Sequence, residues 1–335
     1  MWLWHIPRMF TAPKIAGLTR RTLIAAPAVL AASAAVAAPP DSFATYLAGF
    51  RGEARKAGIS QATLDRALSH LSVNQRVIEL DRNQPESKLT WQQYKARLVS
   101  PARIAKGRPL FAANRALLAR VTQQYGVPAG VIMGIWALES DYGAQMGGFN
   151  VIECLATLAW EGRRRAYFQS QLIDALKIID HGDVAPSQMI GSWAGAMGQT
   201  QFMPDSFLKY AVDFSGTGRR DLWTDMGDIF ASTANYLARE GWRQEIPWGR
   251  AVDLPRGFDL GLVGHDKRRS VAEWRKAGLM IDALPQATSA AVVMPGGPGD
   301  EAYVVFYPSY RAIRQYNPPD KYCLSVGLLG DAITA

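Results

Sequence analysis

Apolar residues along this 335-residue chain recur mostly at helical rather than alternating spacing. In "VPAGVIMGIWALESDYG", residues 127–143, Pro128 suits a first helical turn and Gly143 a stop. Between them Ile132, Ile135 and Trp136 form an i, i+3, i+4 stripe whose next member, i+7, is Glu139. Upstream, "SFATYLAGFRGEARKAGIS" and "SQATLDRALSHL" each open on a capping Ser, and "KLTWQQYKARLVS" and "GRPLFAANRALLARVTQQYG" carry the helical rhythm on to Gly126. Residues 151–241 are again mostly helical, broken by "GDVAPSQMIGSWAGAMGQTQFMP" and "DFSGTGRRDLW". After Trp242 the pattern turns to short β-prone runs, "RAVDLP", "GLMIDALP", "SAAVVMP" and "EAYVVFYPS". "MPGGPGDE" separates the last two as a hairpin turn, and a final helix, "YPSYRAIRQY", leads to the C-terminal tail. The fold class read from this is mainly α (α+β), a helical assembly followed by a small β subdomain.

The first 38 residues stand outside that fold. Lys14, Arg20 and Arg21 precede "LIAAPAVLAASAAVAA", which offers Ala35-Val36-Ala37 or Ala38 as a cleavage point, the layout of a signal peptide. The run covers only Leu23 to Ala38 and contains Pro27, short of the ~20 residues a spanning helix needs. "TRRTLI" matches part of a twin-arginine signal, and no Cys follows the run to take a lipid. Export to the periplasm is therefore expected. It permits a disulfide, but Cys154 lies inside the apolar pattern "VIECLATLAW" far from Cys323, so buried thiols are expected instead.

A hydrophobic content of 48% with 20% charged residues supports a sizeable core and excludes bulk disorder. The net charge is +8, of which Arg8, Lys14, Arg20 and Arg21 supply four, leaving +4 after the leader. Such mild basicity suits an anionic polymer or surface. No nucleic-acid motif is present, and His265 and the other histidines lack metal-ligand spacing.

Three stretches carry candidate chemistry. Glu139 on a packed stripe near a helix C-terminus suffers both desolvation and an unfavourable dipole, so its pKa should rise. A carboxyl group kept protonated near neutrality suits donation of a proton to a glycosidic oxygen. The plainer alternative is a Glu that caps a helix end or pairs with an arginine. "GSWAGAMGQTQFMP", residues 191–204, combines close backbone approach with the polar groups of Ser192, Gln199 and Gln201; its alternative is a tight packing turn with Trp193, Met197, Phe202 and Met203 in the core. In "RQYNPPDKY", Tyr316 and Asn317 could face a cleft, or Asn317 could be an ordinary turn residue after a helix.

Together, "ESDYG" after an apolar helix, "AGAMGQTQFMP", "DFSGTGRRDLW", "STANYLAREGW" and "QYN", in that order, resemble the lytic murein transglycosylase B family of peptidoglycan-cleaving enzymes from about Phe43 to the chain end. The resemblance implies a lysozyme-like fold with helical subdomains around a glycan groove. It implies non-hydrolytic cleavage of the β-1,4 bond between N-acetylmuramic acid and N-acetylglucosamine, leaving a 1,6-anhydromuramoyl end. It makes Glu139 the single catalytic acid/base. Ser192, Gln201, Tyr236, Tyr316 and Asn317 match positions lining the glycan cleft, Arg164 or Arg165 falls near another, and Tyr94 is a further match. Asp141 points away from Glu139's face if the helix continues, so a structural role is expected.

In "DFSGTGRRDLWT", Asp213, Ser215, Gly218 and Asp221 fall at positions one, three, six and nine of an EF-hand loop, but Thr217 and Thr224 stand at five and twelve, where acids belong. A glycine turn is the expectation there rather than a Ca2+ site, and the chemistry requires no cofactor. The expected organisation is one catalytic domain, 39–335, made of a helical part (39–126), a lysozyme-like core (127–241) and a β-containing part with a closing helix (242–335), without a C-terminal peptidoglycan-binding module. Expected partners are peptidoglycan glycan strands, with cell-wall synthases as protein candidates and the chain itself a monomer. The rival functions are a hydrolytic muramidase and a catalytically silent glycan-binding assembly protein.

Overall fold

The computed structural model describes residues 41–83, 89–281 and 284–335, so the leader lies outside the described residues. Ser42 and Ser60 accept from the amides of Thr45 and Thr63 and open α1 (Phe43–Lys56) and α2 (Gln61–Leu68), as their sequence positions predict. After α3 (Gln75–Arg82), a Thr90–Gln93 capping box opens α4 (Trp91–Leu98). Helix α5 (Pro101–Tyr125) starts six residues before the expected stretch, because Ser100 caps it and Pro101 sits in its first turn; it ends at Gly126 in the left-handed conformation. Next come α6 (Ala129–Ser140), β1 (Phe149–Asn150), α7 (Val151–Glu161), α8 (Arg165–His181), β2 (Ile190–Gly191), α9 (Pro204–Tyr210) and α10 (Met226–Arg239).

The C-terminal third holds β3 (Gly249–Val252), β4 (Arg269–Ser270), α11 (Val271–Lys276), β5 (Ser289–Val293) and β6 (Ala302–Phe306), followed by α12 (Ser309–Tyr316) and α13 (Asp320–Thr334). The strands form an antiparallel sheet in the order β3-β6-β5-β4, with β5 and β6 joined by the expected hairpin. Two expectations fail here. "GLMIDALP" is no strand over its described residues: Gly278, at φ 89°, donates back to Arg275 as α11 ends. The supposed C-terminal tail is the helix α13, most of whose residues are buried.

Three apolar cores organise the molecule. The central one joins α4, α5, α6, α10, α12 and α13 to one face of the sheet, including Ala291, Val293, Tyr303 and Val305. The alternate residues Ala290, Val292, Val304 and Phe306 face the opposite way, onto Trp274 of α11. The third core packs α1–α3 against α7–α9. Residues 39–126 are therefore not one helical unit: α1–α3 carry apolar faces that α7 and α8 cover, while α4 and α5 belong to the central core. Tyr236 and Tyr316 pack against both helical cores and mark the seam between them. Cys154 and Cys323 are free and buried.

Helix α6 is buried around nearly its whole circumference, and α13 lies against it at backbone contact. A Cβ on Gly134 would fall 2.2 Å from the Val326 carbonyl oxygen, and one on Gly330 2.2 Å from that of Gly130. Gly134→Ala should therefore destabilise the fold by about 1–3 kcal/mol through forced separation of the two helices. Gly52→Ala, in open space inside α1, should instead stabilise it by about 0.5–1 kcal/mol. Chemical unfolding of both variants checks the pair; equal effects would show that the helix contact is not the constraint.

Candidate active site

Helix α6 brings Glu139 into the seam and then stops abruptly. Asp141 (φ 48°) and Tyr142 (φ 60°) are both left-handed, so the helix ends at Ser140, three residues before Gly143. Consecutive non-glycine residues in that region are costly and need outside support. The Tyr142 hydroxyl donates to the Arg103 carbonyl at 2.8 Å, and its ring meets Trp136 edge-on at 5.4 Å. Lys106 donates to the Asp141 carboxylate at 2.7 Å and to its carbonyl at 3.0 Å, with Arg103 3.7 Å from the same carboxylate. Asp141 is thus spent on holding the turn. Gly143 serves a close approach: a Cβ there would fall 2.3 Å from Gln199 Oε1.

Glu139 is only 6% exposed, and its Oε1 accepts a 2.5 Å hydrogen bond from the Tyr322 hydroxyl. Burial pushes its carboxyl up to about 7, with the Tyr322 bond opposing the shift. The negative end of α6 disfavours the carboxylate in the same direction as burial. Tyr94 and Tyr316 also feel this charge: burial first, and Glu139 second, raise both phenols, which stay neutral donors.

Residues 190–203 form a loop fastened to α6. The Ser192 hydroxyl accepts from the amides of Ala194 (3.3 Å) and Ala196 (3.0 Å), and bridges Gly191 to Met197 and Met197 to Phe202 fold the segment on itself. Gln199 ties this loop to the helix carrying Glu139: its Oε1 accepts from Trp136 Nε1 at 2.7 Å, and its Nε2 donates to the Trp223 carbonyl at 2.8 Å. Gln201, held at φ 52°, donates through Nε2 to the carbonyls of Gly198 (2.6 Å) and Met146 (2.9 Å). That fixes the amide and leaves buried Oε1 without a partner.

The third stretch meets this loop directly. Tyr316 donates to the Thr200 carbonyl at 2.6 Å, and its ring lies 4.8 Å from that of Tyr236. Tyr236 donates to the Gln315 carbonyl at 2.7 Å. The buried Asn317 Oδ1 also has no partner. Tyr94 and Tyr316 lie near enough to Glu139 for its charge to raise both phenols, and Tyr316 in turn touches Tyr236 and the backbone of Thr200, the neighbour of Gln201, with Asn317 next to it in the chain and Ser192 shaping the 190–203 loop.

Arg164 and Arg165 are engaged elsewhere. Arg164 pairs with Asp81 at 2.6 Å and lies over the Phe168 ring, while Arg165 lies 5.6 Å from the Tyr46 ring centre. Asp213, Ser215 and Asp221 lie on the loop before α10, where their oxygens are taken by neighbours in the loop or the next helix. Tyr322 is the site residue that sequence reasoning passed over. It ends the "RQYNPPDKY" stretch, and local signals alone make the segment beyond it read as a tail. The signal was available in the apolar positions Cys323, Leu324, Val326 and Leu329, which make Tyr322 part of a buried helix.

Residues 42–331 match the family model described as the transglycosylase SLT domain. The membrane-bound lytic murein transglycosylase B of Escherichia coli (strain K12) is 34% identical over 251 residues, 72% of this chain and 67% of that protein. Pseudomonas aeruginosa SltB3 in complex with NAG-NAM-pentapeptide is similar in structure, with a TM-score of 0.84 and 42% identity over 88% of this chain and 80% of that one. The same protein with NAG-anhNAM-pentapeptide gives a TM-score of 0.85 at the same identity and coverage. The E. coli lytic transglycosylase Slt35 in complex with calcium gives 0.74 at 29% identity, over 88% of this chain and 93% of that one. A buried acid at the end of an apolar helix, a helix-rich lysozyme-like architecture and a domain match along most of the sequence agree: this chain belongs to the SLT-domain transglycosylase family.

Proposed function

We propose that the protein is a lytic murein transglycosylase that cuts the β-1,4 bond between N-acetylmuramic acid and N-acetylglucosamine, with Glu139 as its only acid/base. The observation that carries this is the burial of Glu139 against Tyr322, which keeps a transferable proton on the carboxyl group near neutral pH. An ordinary retaining glycosidase needs a second carboxylate ~5–5.5 Å away and an inverting one ~6.5–9.5 Å away. Asp141 is tied to Lys106 and Arg103, and Asp320, on the helix that carries Tyr322, to Tyr310 and Arg314. The substrate's own groups can replace a second acid.

In this mechanism Glu139 gives its proton to the glycosidic oxygen as that bond to C1 breaks, and N-acetylglucosamine leaves as an alcohol. The N-acetyl oxygen of the muramoyl residue takes C1 in its place, closing an oxazolinium ring. The Glu139 carboxylate then removes the proton of the C6 hydroxyl, whose oxygen attacks C1, expels the N-acetyl oxygen and closes the 1,6-anhydro bridge. One residue serves in both directions, and its pKa near 7 suits both steps. The unpartnered oxygens of Gln201 and Asn317 would accept hydrogen bonds from sugar hydroxyl or amide groups, and Tyr94, Tyr236 and Tyr316 supply aromatic surface along the cleft.

The wall polymer lies outside the cytoplasm, and the basic, apolar composition of residues 1–38 supports delivery to the periplasm. Among the described residues no helix is long and apolar enough to cross a membrane. The reading takes peptidoglycan glycan strands as substrate for a monomer, with cell-wall synthases as candidate protein partners.

Digestion of purified sacculi, followed by mass analysis of soluble muropeptides, should yield 1,6-anhydromuramoyl ends; reducing muramic acid ends in their place would contradict the reaction. Glu139→Gln should lose about 10²–10⁴-fold in activity. It should also alter stability with a definite sign. Native Glu139 holds its proton to about 7, against 4.5 for an ordinary Glu, so its stabilising contribution is complete below 4.5 and is lost as pH rises to 7. The variant should therefore gain relative to the native protein above pH 7, by at most about 3 kcal/mol, and show no such gain below pH 4.5. Denaturant unfolding across that range reads the difference. Tyr322→Phe should leave Oε1 without its donor, cost about 1–3 kcal/mol of stability, and move the alkaline limb of the kcat profile upward. A limb that stays put or moves down would show that Tyr322 does not restrain the proton affinity of Glu139.

A further inference from the structure

Residues 213–224 have the outline of a calcium loop, and E. coli Slt35, 29% identical, was solved with calcium. A calcium loop presents roughly six to eight oxygens toward one centre. In this chain the corresponding side chains face their own backbone. Asp213 accepts from the amides of Thr217 (2.9 Å) and Gly218 (2.8 Å), and Asp221 from those of Trp223 (2.9 Å) and Thr224 (2.8 Å). The hydroxyl of Ser215 donates to Asp225 at 2.7 Å, that of Thr217 to the Arg219 carbonyl at 3.1 Å, and that of Thr224 to Asp221 at 2.6 Å. Among the described residues no group of three or more His, Cys, Asp or Glu is placed to hold a metal. The residues present do not fit the ion.

Two buried acids outside the twelve-residue loop do the joining instead. Asp228, on α10 and fully buried, accepts from the amides of Phe214 (2.7 Å) and Ser215 (3.2 Å) on one oxygen and from that of Asp221 (2.8 Å) on the other. One carboxylate thus ties the beginning of the loop to its far side, the span a bound cation bridges. Asp183, also buried, accepts from the Arg220 amide (2.8 Å), Nε (3.2 Å) and Nη2 (2.5 Å). Hydrogen bonds to an ionised acceptor are the stronger kind.

We infer that the Asp228 carboxylate and the Arg220–Asp183 ion pair replace calcium in this loop, making the fold and the lytic activity of this protein independent of the ion. The loop is then a permanent part of the scaffold, and chelators or changes in calcium level do not regulate the enzyme.

The test measures thermal unfolding of the full chain in excess CaCl2 and in EGTA, alongside titration with Tb3+ to read luminescence sensitised by Trp223. Unchanged Tm and no saturable luminescence are expected. A Tm that rises with calcium and falls back with EGTA, or saturable Tb3+ luminescence lost on Asp213→Asn, would overturn the inference. Hydrogen exchange in EGTA should show protected amides at Phe214, Ser215 and Asp221; rapid exchange there would mean that Asp228 does not hold the loop closed. Asp228→Asn should lower Tm by several degrees with no recovery in calcium, and an unchanged Tm would equally refute the brace. The exchange measurement keeps the test intact should that variant fail to fold.

Discussion

The hydrogen bond between the Tyr322 hydroxyl and Glu139 joins the two helices on which the rest of the molecule is arranged. Glu139 is buried because α6 is enclosed, and α6 is enclosed because α13 lies against it at glycine contacts. Without a donor, Oε1 would be a buried acceptor with no partner, a substantial penalty in dry surroundings. With the donor in place, the carboxyl group is desolvated enough to keep its proton and held in one orientation. Two opposing effects set its pKa: burial raises it, Tyr322 restrains it, and burial wins.

Much of this was legible in the amino-acid pattern. Ile132, Ile135 and Trp136 place Glu139 on an apolar stripe, and burial of every member follows from that spacing. The caps at Ser42 and Ser60 and the β5–β6 hairpin are local signals, read correctly because neighbouring residues alone decide them. Helix α13 was missed for the opposite reason. Pro318 and Pro319 announce a stop, and Gly327 and Gly330 weaken the helical pattern, yet those glycines exist to admit Trp248 and Gly130 from distant parts of the chain. Packing between remote segments overrides local propensity there, and Tyr322 went unassigned along with its helix.

The same distinction separates polar residues whose groups are used within the fold from those left without a partner. Ser192 and Gln199 look like ligand-binding groups in the sequence, but their hydrogen bonds fold the 190–203 loop and fasten it to Trp136. Asp141 supports a left-handed turn, and Arg164 is committed to Asp81. The oxygens of Gln201 and Asn317 remain without partners, and they lie on segments that meet where Tyr316 bonds to Thr200. Such groups weaken the isolated fold and are retained where a ligand completes them.

In the proposed mechanism the proton affinity of Glu139 is the quantity on which the chemistry turns, and it can be read without substrate. Difference infrared spectroscopy between the native protein and Glu139→Gln isolates the carboxyl stretch of this one side chain as pH is varied. Its protonated band should persist to a midpoint near 7. A midpoint close to the 4.5 of an ordinary Glu would show a hydrated carboxylate with no proton to give at neutral pH.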